Sequence, residues 1–320
     1  MKRWMKPQRP GRFSWEVPMT DCVLVADLGG TKIRSAVFVG EESHFVSDRP
    51  TDISAGRDSV LAALCAALEE CHVQAVDRGW SPVGVGLSCA GVIDPQTGSV
   101  VDATEAIPGW KDTQLGKVIG TQFGLPVATE NDVKAALLGE LASSPEYRAG
   151  STVMITLGTG LGGAISIDGN ILPGASFVAG HFGQMRLPSP WQCEKTVALE
   201  QLVSGTGLAN IANQLDGSTR FRNGRDVLSA LRRDEAPGRA ARDRFCEFLL
   251  LTLENIYWSL NPDRVLIGGG LVSAREDWWP VLESKLEEAG LPLEIQPAKL
   301  GNDAGIHGAA ALIHRKVGGA

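Results

Sequence analysis

The feature that most constrains this chain is a motif that occurs twice. Residues 22–39 read as an apolar run, CVLVAD, a turn, LGGTK, and a second apolar run, IRSAVFV. Residues 152–167 repeat the design with VMITL, the turn GTGLGG, and AISI. Apolar runs meeting at a short glycine turn predict a β-hairpin. Two hairpins of one design, about 130 residues apart, predict a duplicated domain, and 320 residues suffice for two domains.

The rest of the pattern alternates. Helical spacing of Leu61, Leu64, Cys65 and Leu68 predicts a helix over Ser59–Cys71, and Val83–Leu87 reads as a buried strand. Leu125–Ala128 is expected to be a short strand, followed by a helix from Asp132 to Leu141. Phe245–Leu260 is apolar nearly all round, as for a helix buried between layers. Val265–Ile267 reads as a strand running into Gly268, Gly269 and Gly270. Asp303–His314 reads as a last helix whose small residues, Ala304, Gly305, Gly308 and Ala309, permit close backbone approach. Such alternation argues α/β architecture.

A formal charge of −7 gives no reason to expect attraction to nucleic acid or to an anionic membrane. No run of about 18 apolar residues occurs, which argues against a membrane span. Cysteines 22, 65, 71, 89, 193 and 246 are scattered and read as thiols in a reducing cytoplasm. Residues 1–20 are basic, broken by prolines and without an apolar signal core, so a flexible leader is expected, with Met19 an alternative start.

Asp27-Leu28-Gly29-Gly30-Thr31-Lys32 is the first phosphate signal. Glycines let backbone N–H groups approach phosphate oxygens, Thr31 and Lys32 add a hydroxyl and a charge, and Asp27 suits a magnesium-bound water. The bland alternative is a plain hairpin turn. The loop Leu157–Gly163, with Gly158, Thr159 and Gly160, is the second such turn, and the pair suggests a nucleotide held between two domains. Gly268–Gly270 is either a third backbone approach or only a tight strand-to-helix turn. Glu130-Asn131-Asp132 ends a strand and opens a helix. Asp132 could simply cap that helix, or take a proton from an alcohol attacking phosphorus. Asn131 offers a donor and an acceptor to a sugar hydroxyl.

Taken in order, Asp27–Arg34, Ile107–Trp110, Glu130–Asp132, Leu157–Gly163, Gly268–Gly270 and Gly301–Gly305 resemble the ROK family of sugar kinases and sugar-responsive repressors. The resemblance runs from about Cys22 to the C-terminus. It implies the two-domain actin-like ATPase (ribonuclease H-like) α/β fold with a cleft between the domains. By that resemblance residues 21–131, joined by helix 303–318, form the small domain and 132–302 the large one. It also implies Asp132 as catalytic base, Asn131 as sugar ligand, the glycine loops as phosphate cradle, ATP and Mg2+ as cofactors, and a cytoplasmic homodimer.

The sequence departs from the family where the family binds zinc. The usual A-G-E-x-G-H reads Ala179-Gly180-His181-Phe182-Gly183-Gln184, and of the family's His and three Cys only Cys193 is kept. A structural zinc needs about four N or S ligands, so none is expected and Trp191 is a candidate filler. Glu200 keeps the sugar-contacting position, Gln184 replaces a sugar-contacting His, and Ala106 stands where the family often has Asn. His181 replaces the usual Glu, as in bacterial N-acetylmannosamine kinases, or else satisfies a loop carbonyl.

The leading expectation is phosphoryl transfer from Mg-ATP to the 6-hydroxyl of glucose, with N-acetylmannosamine or another N-acetylhexosamine as the alternative. Asn131, His181, Gln184 and Glu200 would hold the sugar. A repressor would need a DNA-binding domain, and about 20 residues before the first strand are too few. A non-catalytic sugar sensor is the third reading, motivated by the altered sugar segment.

Overall fold

The computed structural model describes residues 20–104, 106–192 and 194–318; the leader (but for Thr20), Glu105 and Cys193 lie outside the described residues. β1 (Thr20–Leu28) and β2 (Lys32–Val39) form the first hairpin, pairing Val23 with Phe38 and Leu28 with Ile33. β3 (Glu42–Pro50) extends it antiparallel. α1 (Arg57–Asp77) then crosses to β4 (Trp80–Cys89), which runs parallel to β1. A ribbon of β5 (Val92–Asp94) and β6 (Ser99–Asp102) and helix α2 (Leu115–Phe123) lead to β7 (Val127–Asn131), parallel to β4. The strand begins after Pro126 rather than at Leu125, because proline has no N–H to give the ladder.

After α3 (Asp132–Ser143), β8 (Ser151–Leu157) and β9 (Leu161–Ile167) form the second hairpin, edged by β10 (Asn170–Ile171). The ribbon of β11 (Arg186–Pro188) and β12 (Thr196–Ala198) precedes α4 (Gly205–Asp216), α5 (Gly224–Arg232) and α6 (Ala236–Leu260). β13 (Arg264–Gly268), α7 (Trp279–Ala289), β14 (Ile295–Pro297) and α8 (Ala304–Gly318) complete the chain. The two sheets, β3-β2-β1-β4-β7 and β10-β9-β8-β13-β14, share one plan: a hairpin whose first strand pairs with a later parallel strand.

Alternation along the strands decides what covers each face. Leu24, Leu28 and Ile33 pack against Val60, Leu64 and Leu68 of α1, while Val23 and Val25 pack against Ile306, Ala309 and Ile313 of α8. In the second sheet Val153, Ile155 and Leu157 meet Leu208, Ile211, Phe245 and Leu249 of the helical layer. Its other face, at Met154 and Leu266, meets Ala136, Leu137 and Leu141 of α3. α3 and α8 therefore form a shared middle layer and pack on each other. Among the described residues, α1 is long and apolar enough to cross a membrane, yet its buried residues follow one helical stripe facing the first sheet.

One expectation fails at α6. Phe245, Leu249, Leu253 and Ile256 are buried, but Leu251 is 39% and Trp258 79% exposed. The helix covers the second sheet with one face only, so its opposite apolar side chains remain on the surface.

The α3–α8 crossing depends on absent side chains. A Cβ on Gly308 would overlap the Ala135 carbonyl, and one on Gly139 would stand 2.5 Å from the Ala304 oxygen. Gly308→Ala should destabilise the fold by roughly 1–3 kcal/mol through overpacking. Gly318→Ala, with nothing within 4 Å of the new methyl, should be neutral in the same urea titration. Equal stability of the two variants would contradict this packing.

Candidate active site

β7 ends and α3 begins at the Asn131–Asp132 step. The helix cap is Asn131, not Asp132: its Oδ1 accepts from the Val133 and Lys134 N–H groups at 3.1 and 3.2 Å. Its Nδ2 donates to the Gly91 carbonyl at 2.9 Å and to Asp132 Oδ1 at 2.7 Å. The capping role considered for Asp132 thus falls to its neighbour. Asp132 Oδ1 also accepts from Val133 N–H at 2.9 Å, and among the described residues no hydrogen bond reaches Oδ2.

Two cavities meet at Asp132. The larger, about 590 Å³, is walled by Asp27 and Lys32 from the first hairpin, by Gly158, and by Gly268, Gly269 and Gly270 after β13. The turn residues Gly29, Gly30 and Thr31 are outside this lining: Gly29 N–H donates to the Lys32 carbonyl at 2.9 Å and Thr51 Oγ1 to the Gly29 carbonyl at 2.7 Å. Asp27 accepts a hydrogen bond from Ser88 Oγ. Burial raises its pKa above the usual carboxylate range, against the pull of Ser88, Lys32 and Arg34. A Cβ on Gly305 would overlap the Asp27 carboxylate, so the start of α8 rests directly on it.

The third glycine turn divides between its two readings. Gly269 has φ +86° and a Cβ there would stand 2.6 Å from Leu157 N, so backbone geometry alone demands glycine. Gly270 faces open space in the cavity, where a phosphate or nucleoside could approach.

The smaller cavity, about 320 Å³, is lined by Asn131, Asp132, Thr159, Gly160, His181 and Glu200. His181 Nδ1 lies 3.1 Å from the Val178 carbonyl, so the loop-carbonyl contact and a place in the cavity both hold. When Nδ1–H donates to that carbonyl, Nε2 carries the lone pair. Burial and then Lys134 hold the imidazole pKa below its ordinary value, so the ring is neutral at pH 7. Gln184 is exposed and outside this lining, but its Nε2 donates to Glu200 Oε1 at 3.1 Å and so orients that carboxylate.

The segment that carries the family's zinc ligands is a hydrogen-bonded ribbon, β11 with β12, with Leu187 and Val197 packed on the second core. Trp191 is 36% exposed and does not fill it.

Burial of the Asp132 carboxyl, and then the negative charge of Asp27, push its pKa up to about 6 despite the hydrogen bonds it accepts. Sequence reasoning assigned no role to Ser273, Arg275, Lys299 and Asn302 on the larger cavity's wall, because it read the neighbouring glycine segments for backbone approach and not for the side chains beside them. It also missed Lys134 and Glu140, buried in an otherwise apolar helix. Glu140 accepts from the Lys299 and Leu300 N–H groups at 3.1 and 2.8 Å, fixing the turn that leads into α8.

The ROK family profile matches residues 23–316. The chain belongs to the ROK family. A glucokinase of Halalkalibacterium halodurans is 30% identical over 316 residues, covering 91% of this chain and 94% of the relative. An N-acetyl-D-glucosamine kinase of Vibrio cholerae is 29% identical, covering 89% and 97%. Among solved structures, a ROK family glucokinase from Streptomyces griseus in complex with glucose and AMPPNP superposes with TM-score 0.75 and 26% identity, covering 91% of this chain and 98% of that one. The fold is accordingly the actin-like ATPase fold of ROK kinases.

Because Asp132 is harder to ionise folded than unfolded, its ionisation works against the native state. The stability it withholds is absent below its ordinary value of 3.8 and grows until pH passes about 6. Asp132→Asn should therefore stabilise the protein by about 1–3 kcal/mol at pH 7 and by nothing near pH 3.5. Denaturant titrations at both pH values check this, and a destabilised variant at pH 7 would contradict it.

Proposed function

We propose that this sugar kinase transfers the γ-phosphoryl group of ATP to the 6-hydroxyl of a hexose, glucose before N-acetylmannosamine or another N-acetylhexosamine. The observation that carries the reading is the place of Asp132 on the wall of both cavities. A base there can reach an alcohol in the smaller cavity while that alcohol faces a phosphate in the larger.

Asn131, His181 and Glu200 would hold the sugar, with Gln184 acting through Glu200. His181 offers Nε2 as an acceptor and Glu200 its carboxylate, so both favour hydroxyl donors. The relatives' names divide between glucose and N-acetylglucosamine, and His181 is the feature that keeps N-acetylmannosamine open. Asp132 takes the hydroxyl proton as the oxygen bonds to phosphorus and the bond to the β-phosphate oxygen breaks, releasing ADP. Its raised pKa brings proton affinity nearer to neutrality while leaving it mostly ionised at pH 7.

Asp27 and Asp132 line the same cavity and the Asp27 charge opposes ionisation of Asp132, an arrangement that suits a divalent cation. Magnesium takes one or two carboxylates and leaves its remaining positions to water and phosphate. Held at Asp27 through water, it would neutralise charge on the β- and γ-phosphates. Lys32 and the Gly270 amide complete the proposed phosphate cradle, with Gly158 on the same wall, its own N–H donating to the Gly160 carbonyl at 3.0 Å.

A division into residues 21–131 with 303–318, and 132–302, is proposed, supported by the separation of the strands into two sheets, and closure of these domains would exclude water from the reaction. A cytoplasmic homodimer is also proposed; the exposed Leu251 and Trp258 on α6 are apolar surface that a second copy could cover, and light scattering decides the point.

A coupled assay of ADP release with Mg-ATP should show turnover of glucose above N-acetylmannosamine, N-acetylglucosamine, mannose and fructose. Asp132→Asn should lower kcat by roughly 10²–10⁴-fold with sugar KM little changed. The wild-type rate should rise through pH 6 as Asp132 ionises. Selective use of N-acetylmannosamine would reverse the substrate order, and a near wild-type rate in the variant would sink the mechanism.

A further inference from the structure

Lys134 stands two residues after Asp132, on the first turn of α3, and is 1% exposed. Its Nζ donates to the Phe177 carbonyl at 2.7 Å and to the Pro173 carbonyl at 3.2 Å. These two carbonyls belong to the loop that runs from β10 to His181. The loop folds tightly on itself, with Phe177 at φ +62° and Gly180 at φ +87°. Ala179 N–H donates back to the Pro173 carbonyl at 3.2 Å, and His181 N–H to the Val178 carbonyl at 3.1 Å. A buried ammonium is expensive unless it is hydrogen-bonded and faces opposite charge. Here the loop carbonyls supply the hydrogen bonds, and the buried Glu130 carboxyl is the nearby opposite charge.

We propose that Lys134 is a positioning residue for sugar recognition: its ammonium, sealed beneath the 173–181 loop, fixes the loop conformation that places His181 in the acceptor cavity. The inference rests on the sugar-kinase reading of that cavity. It adds a second effect of the same group. The Lys134 charge disfavours protonation of His181 and so keeps Nε2 an acceptor. Burial is the larger cause of the lowered His181 pKa and Lys134 the second, so the difference between the wild-type protein and a lysine variant reads out the lysine.

Removing the ammonium leaves Pro173 its Ala179 partner but takes from the Phe177 carbonyl the hydrogen bond it receives from Lys134. Lys134→Met keeps the length and apolar stem. It should raise the KM for the preferred sugar about tenfold or more, with kcat and the KM for ATP within about twofold, the pattern of lost uniform binding. Lys134→Gln, which retains an N–H donor without charge, should give a smaller rise in KM.

NMR titration of the His181 imidazole supplies a readout independent of activity, assigned by comparison with His181→Gln. In the wild-type protein it should titrate below 6.5, and in both lysine variants it should move upward. An ordinary wild-type titration overturns the proposal even if neither variant folds. So do folded variants with unchanged sugar KM and unchanged titration. If the wild-type chain turns over no sugar, the acceptor reading falls instead, and the titration still decides whether Lys134 governs His181.

Discussion

Two helices cross at the centre of this molecule with almost no side chains between them. Gly308 of α8 lies against the Ala135 carbonyl of α3, and Gly139 of α3 against Ala304 of α8. α3 starts with Asp132 and covers the second sheet; α8 starts against Asp27 and covers the first. The spacing of the crossing therefore sets the relation of the two carboxylates on which the proposed chemistry rests. A wider crossing would separate them and open the cavities that meet at Asp132.

Around this crossing the interior holds charge that a purely structural core would avoid. Asp27, Asp132 and Glu130 all have carboxyl groups made harder to ionise by burial. Their cost is partly offset by specific donors: Ser88 for Asp27, Asn131 and Val133 for Asp132, and the Asn131 N–H for Glu130. Glu140 and Lys134 spend their buried charge differently, each binding the backbone of a loop that leads to a cavity wall. α3 thus presents the proposed base at its start, a clamp on the 173–181 loop within its first turn, and a clamp on the turn at Lys299 and Leu300 further along.

Much of this was legible in the chain itself. The paired glycine hairpins announce two sheets of one plan, because apolar alternation and turn residues are local signals. Asp132 stood out because it follows a strand directly. What stayed hidden was non-local. Capping by Asn131 rather than Asp132 depends on which side chain turns back onto the helix amides. The exposed face of α6 could not be read from apolar content, since nothing in a sequence tells a helix covered on both sides from one left partly bare. Trp191 looked like filler for the same reason, although the ribbon's own hydrogen bonds and Leu187 and Val197 hold that segment. Lys134 and Glu140 were visible as polar residues in an apolar helix, but their partners lie 39 to 160 residues away.

The central claim is that Asp132 joins an acceptor cavity to a nucleotide cavity. A crystal structure with Mg-AMPPNP and glucose tests it most directly. The account predicts the triphosphate along Asp27, Gly158 and Gly270, and the sugar between His181 and Glu200. One sugar hydroxyl should lie within hydrogen-bond reach of Asp132, about 2.6–3.2 Å, and face the γ-phosphorus. A sugar bound with its hydroxyls turned from Asp132, or a nucleotide seated away from Asp27, would contradict it.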